Sequence, residues 1–192
     1  MTPKDLQEQQ FEADIERYLL TEGGYTKGSQ ATYDKEKALD LDTLIRFIKD
    51  SQPKAWEKFE RVFGAHAKAE LYKTMQGDIL KYGLIHTLRN GIKNRGIEIK
   101  LCYFAPASSL NPELTEKYHK NIMECTRQFV YSKEVKNSID MVLSLNGIPV
   151  VAIELKNQFT GQDVNDSKEQ WMTNRNPQEP LFHFDNRILA YF

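Results

Sequence analysis

This sequence lacks any long apolar run. No segment approaches the ~20 consecutive apolar residues of a membrane-spanning helix. Its opening, MTPKDLQEQQFEADIERYLL, is polar and acidic where an export signal needs a basic start and an apolar stretch, so the chain is expected in the cytoplasm. Cysteine is scarce: Cys102 and Cys125 have no C-x-x-C spacing and no neighbouring histidines, which argues against a zinc site or a disulfide framework and for two buried, reduced thiols. The four histidines, His66, His86, His119 and His183, are scattered without H-x-x-H or H-E-x-x-H spacing, so a histidine-bound metal is not expected. There is no basic excess, with 26 Lys and Arg against 27 Asp and Glu for a net charge of −1, so DNA contact would have to come from local patches or partners. No G-x-x-x-x-G-K-[ST] phosphate loop, internal repeat or low-complexity tract occurs, and this piece carries no ATP motor of its own.

What is present is a soluble-type composition, 40% hydrophobic and 28% charged over 192 residues, enough for one α/β domain with a real hydrophobic core. Leu6 to Leu20 sets Leu6, Phe11, Ile15, Tyr18 and Leu19 at roughly helical spacing, and Gly23-Gly24 ends the pattern. From Leu39 to Asn94 the apolar positions keep a helical period, through Leu44 and Ile48, then Trp56 and Phe59, then Ile79, Leu84 and Leu88. Pro53 suits the first turn of a new helix, so 39–94 reads as several helices inserted into, or packed upon, a sheet. Ile97 to Phe104, IEIKLCYF, reads as a strand; Glu113 to Asn121 as a short helix; Thr126 to Tyr131 as extended; Val164 to Thr173 as a helix. RILAYF, Arg187 to Phe192, reads as a strand ending so abruptly that a longer protein is expected to continue beyond it. The best local basic stretch, Arg89, Lys93, Arg95 and Lys100, offers a phosphate contact or a solvated helix end.

The chemistry lies in Asn137 to Gln158, NSIDMVLSLNGIPVVAIELKNQ, two apolar runs separated by Asn146-Gly147, a strong hairpin signal. Strand parity gives Asp140, Val142 and Ser144 one face of the first strand and Val150, Ala152, Glu154 and Lys156 the matching face of the second. The opposite faces, with Ile139, Met141, Leu143, Val151, Ile153 and Leu155, are wholly apolar and expected in the core. A three-residue loop, Asn146 to Ile148, would set Asp140 opposite Glu154 with Cβ atoms only ~5 Å apart. Two carboxylates that close repel one another unless a cation joins them. Oxygen-only donors select Mg²⁺, Mn²⁺ or Ca²⁺ over zinc. Lys156, on the same face, could hold an attacking water or stabilise charge on a phosphorane, which makes a phosphodiesterase site; a solvated face bearing an ordinary Glu-Lys pair is the bland alternative.

With these residues in place, the chain resembles the PD-(D/E)xK nuclease superfamily, and more closely the N-terminal domain of type I restriction enzyme R subunits (HsdR). RQFVYS at Arg127 to Ser132, SIDMVLSLNGIPVVAIELKN, TGQ at Thr160 to Gln162, then EQW, NRNP, PLFHF and RILAYF carry the likeness. The first helix and IKLCYFAP are also similar, whereas 39–94 holds no assignable motif. The resemblance implies a restriction-endonuclease-like core of helix, three strands, helix and strand, here a single domain over 1–192 with a helical elaboration at about 39–94. It implies that Asp140, Glu154 and the backbone carbonyl of Leu155 bind Mg²⁺, with Mn²⁺ as a substitute, and that Lys156 serves the nucleophile. Ile139 replaces the proline that often precedes the catalytic aspartate, a mild loss because that proline shapes the strand and does no chemistry. A first-helix glutamate, Glu12 or Glu16 with the match better for Glu12, would be auxiliary, and a solvated helix face is the competing role for either. Gln170 would answer the glutamine of a Q-x-x-x-Y motif whose tyrosine is here Asn174, leaving it to orient the site, touch the DNA backbone, or sit exposed. The resemblance further implies double-stranded DNA as substrate, modification and specificity subunits as partners, and ATP used only by translocase domains outside this chain.

Three functions of different kind stay open on the sequence. One is the endonuclease of a restriction complex. Another is a catalytically idle scaffold that docks a translocase onto the other subunits, and the third is a stand-alone repair or recombination nuclease.

Overall fold

A computed structural model describes residues 3–108, 110–132, 137–155, 176–183 and 185–192. The first helix, α1 (Pro3–Thr21), leads into the short strand β1 (Thr26–Lys27). Four helices follow, α2 (Leu41–Ser51), α3 (Pro53–Phe63), α4 (Ala67–Tyr82) and α5 (Leu84–Asn90). Then come β2 (Ile92–Asn94), β3 (Ile97–Ile99), α6 (Pro112–His119), β4 (Met123–Val130), β5 (Ser138–Leu145), β6 (Ile148–Ile153) and β7 (Ala190–Tyr191). The main sheet has the order β1-β4-β5-β6-β7: its centre is antiparallel, and the short edge strands β1 and β7 run parallel to β4 and β6. The result is a mixed α/β fold, as expected. Among the described residues no helix is long and apolar enough to cross a membrane.

The helical elaboration forms where its period placed it. Asp40 caps α2, accepting from the backbone N–H groups of Asp42 and Thr43, and Pro53 opens α3. Leu44, Ile48, Trp56, Phe59, Leu71, Met75, Ile79, Leu84 and Leu88 build one cluster that also takes in Ile148 from β6. The helical layer therefore grips the turn end of the β5–β6 hairpin.

The strand expected over 97–104 is only β3, and it pairs with β2 as a separate hairpin outside the main sheet. Gly91 and the Arg95-Gly96 turn, all at positive φ, fold the chain back on itself there, so Ile92 belongs to a strand and not to the preceding helix. RILAYF supplies only the two-residue β7; Arg187 and Ile188 are buried outside it. The strand β1 gave no signal in sequence because two polar residues have no periodicity to read.

Helix α1 buries a face different from the apolar stripe expected of it. Phe11 and Tyr18 are 50% and 65% exposed, whereas Ile15 and Leu19 pack on Cys125, Met141 and Leu143 of the sheet. Glu12 and Glu16 share that buried face, at 4% and 9% exposure, so neither lies on a solvated face. The side chain of Leu6 lies outside the described residues, as does the whole of the helix expected at 164–173.

Both faces of the sheet are covered. Met141, Leu143, Val151 and Ile153 meet α1, while Val142 and Ala152, both fully buried, pack with Ala38, Tyr131, Leu181 and Ile188. The cysteines are free and buried, and desolvation pushes their thiols up, to about 12 for Cys102 and about 11 for Cys125.

Candidate active site

The hairpin reaches the expected register by a different route. Leu145 pairs Ile148 across a two-residue turn, with Asn146 at φ 52° and Gly147 at φ 79°, the left-handed pair of a type I′ turn. That register alone would set Asp140 opposite Ile153. A bulge at Val150 corrects it: Ser144 pairs Pro149, but Leu143 pairs Val151, Val142 pairs Ala152 and Met141 pairs Ile153. Met141 with Ile153 is the last pair, and Asp140 and Glu154 are the residues that come next on the two chains. Parity is broken at the bulge, so Val150 packs toward the helical cluster and not with Ala152 as expected.

The turn is anchored from outside the hairpin. Asn146, fully buried, accepts from the Ile122 amide at 2.7 Å and donates to the Leu101 carbonyl at 2.8 Å, and the Asp40 amide donates to the Gly147 carbonyl at 2.9 Å. Asp140 lies about 20 Å of strand from this turn, six residues at ~3.3 Å each, at the open end of the hairpin.

At that end the backbone after β6 is held on both sides. The Glu154 amide donates to the Phe192 carbonyl at 2.8 Å, and the Leu155 amide donates to Oδ2 of Asp140 at 2.7 Å. Oδ1 of Asp140 accepts no hydrogen bond among the described residues. Glu154 is only 6% exposed, a carboxylate taken largely out of water. Carboxylate oxygens are the donors a hard divalent cation prefers. The donor set therefore suits such an ion, although no group of three or more His, Cys, Asp or Glu able to hold a metal occurs among the described residues.

Glu12 and Glu16 meet Arg127 of β4, a residue to which sequence reasoning gave no role. Its Nε and Nη2 donate to Oε2 of Glu12 at 3.2 and 3.1 Å, Nη1 donates to Glu16 at 3.5 Å, and Nη2 also reaches the Gln9 carbonyl at 3.2 Å. Nε2 of Gln128 donates to Oε1 of Glu12 at 2.9 Å. The signal that could have found Arg127 is its place in RQFVYS, one strand away from Asp140. Lys156 and Gln170 lie outside the described residues.

Of the basic stretch, Lys93 pairs with Glu98 at 2.9 Å, Lys100 donates to the Asn90 carbonyl, and Arg95 lies over the Phe63 ring. The four residues span the end of α5 and the β2–β3 hairpin, with three of their charged ends already engaged locally.

A five-stranded mixed sheet with an antiparallel hairpin at its centre makes an α/β domain compatible with a nuclease-like core. The family model for the type I restriction enzyme R protein N terminus matches residues 6–191, and the chain belongs to that family. Membership ties the chain to a restriction system and implies a complex with other subunits and DNA. Neither the curated proteins nor the solved structures yield a match.

Proposed function

We propose that this domain is the endonuclease of a type I restriction complex, hydrolysing phosphodiester bonds of double-stranded DNA with Mg²⁺. The observation that supports this reading is the register of β5 with β6, whose last pair, Met141 with Ile153, is followed by Asp140 on one chain and the buried Glu154 on the other. Asp140, Glu154 and the carbonyl of Leu155 would hold the ion, with the PD-(D/E)xK pattern completed by Lys156. When bound, Mg²⁺ supplies Lewis-acid polarisation of the scissile phosphate.

The protein's own groups have separable tasks. Asp140 supplies charge and, through the Leu155 amide, fixes the chain that carries Glu154 and Lys156. The Lys156 ammonium would position the attacking water and stabilise charge that develops on the phosphate oxygens. Val142 and Ala152, buried immediately behind the pair, keep water from the side facing the core. Glu12 would be an auxiliary carboxylate and Gln170 an orienting residue, both as the family resemblance suggests.

The test is cleavage of unmethylated plasmid by the full-length subunit in its complex, together with anomalous density from crystals soaked in Mn²⁺. Density at Asp140 and Glu154, with cleavage lost in Asp140→Ala, supports the reading; near-normal cutting by Asp140→Ala sinks it.

A further inference from the structure

We infer that Gln128 is a positioning residue for the Asp140–Glu154 site, spanning α1, β4 and β5 so that Asp140 is held in place. This rests on the nuclease reading above. The register of β4 with β5 pairs Arg127 with Met141 and Phe129 with Ile139, leaving Gln128 beside Asp140. In a regular strand, Arg127 and Gln128 would point to opposite faces. Here Arg127 contacts α1, and Gln128 reaches α1 as well, because its backbone is left-handed at φ 49°.

A residue that is neither glycine nor asparagine takes that conformation only where its surroundings compel it. The compulsion is visible at both ends of the amide. Nε2 donates to Oε1 of Glu12 at 2.9 Å, and Oε1 accepts from the Ser138 hydroxyl at 3.2 Å. The carboxylate can only accept, which fixes which end of the amide faces Glu12. Ser138 lies two residues before Asp140 on the same strand. Arg127 balances the charge of Glu12, so the buried carboxylate can serve as a fixed acceptor. A rigid link thus runs from the first helix to the strand that carries Asp140.

Gln128→Ala should slow single-turnover cleavage about 10- to 100-fold, the size expected when a reacting group moves by ~1 Å. It should also weaken Mn²⁺ binding, followed by the ion's electron paramagnetic resonance signal on the full-length subunit. The stronger test compares the two ends of the link. Gln128→Glu sets a second carboxylate against Glu12 and should lose cleavage, whereas Ser138→Ala, which removes only the link from the amide to β5, should slow it by a smaller factor. Wild-type cleavage and Mn²⁺ affinity in Gln128→Ala or in Gln128→Glu, with circular dichroism and melting that match the parent, would overturn the inference. Asp140→Ala measured alongside separates the two claims: if it cuts normally the nuclease reading fails, and if it is dead while Gln128→Ala is normal only the positioning role fails.

Discussion

The amide of Leu155 donates to Oδ2 of Asp140 at 2.7 Å, joining the residue after Glu154 to the carboxylate across the hairpin. That side chain ties the end of β6 to β5 and, among the described residues, leaves Oδ1 without a donor. Charge and hydrogen bonding at Asp140 can be separated by mutation.

Asp140→Asn keeps an oxygen that can accept from Leu155 but loses the charge. It should cut at no more than ~1% of the parental rate, since loss of a charge-stabilising group costs about 10²- to 10³-fold. Its melting temperature should stay close to the parent's. Asp140→Ala, Glu154→Ala and Lys156→Ala should be as inactive while ATP hydrolysis by the full-length subunit persists. Lys156→Arg should fail too, because the broad guanidinium holds water and phosphate in another geometry. Wild-type cleavage by Lys156→Arg would make the residue structural.

DNA binding by the domain should depend on metal. With a net charge of −1 the chain has no overall basic excess to neutralise phosphates, and in the proposed site Asp140 and Glu154 would set negative charge where the scissile phosphate comes. Duplex affinity measured by fluorescence anisotropy should rise on replacing EDTA with Ca²⁺, without efficient cutting. Submicromolar binding in EDTA at physiological salt would contradict this.

Gly147→Ala should destabilise the domain by about 2 kcal/mol or more, from the left-handed backbone alone. The steric clash adds to that, because a Cβ there would lie 2.2 Å from the Asp40 carbonyl oxygen. Since this turn starts the register that ends next to Asp140 and Glu154, cleavage should fall with stability. Urea unfolding and plasmid cleavage of the same variant check both.

Arg187→Lys should cost about 3 kcal/mol in urea unfolding, because charge-assisted hydrogen bonds are lost and buried acceptors are left without donors. The fully buried guanidinium donates to the carbonyls of Ala38, Lys37 and Asn186 and to the side chains of Asn186 and Gln76. Burial pulls its pKa down to about 10, which still leaves it charged near neutral pH. A stability loss below about 0.5 kcal/mol, the usual range of surface substitutions, would show that the network is not needed.

The sequence by itself determined the helical layer, whose 3.6-residue period is local, and the β5–β6 hairpin, whose apolar runs and Asn146-Gly147 turn need no distant partner. It also gave the pairing of Met141 with Ile153, Val142 with Ala152 and Leu143 with Val151, although the turn length behind that expectation was wrong and only the bulge at Val150 made the register come out. In a run as apolar as IPVVAI the shift of parity at a bulge cannot be read, because both faces are apolar. Tertiary structure alone decided the rest of the site's surroundings. Whether Glu12 and Glu16 are solvated or buried depends on Arg127, more than a hundred residues away, because a carboxylate enters the interior only where a cation or donor meets it. The same distance hid the left-handed turn of Gln128 toward Glu12 and the place of Arg187 beneath Ala38. Local pattern records which residues must leave water; it does not record which buried charge will find which partner.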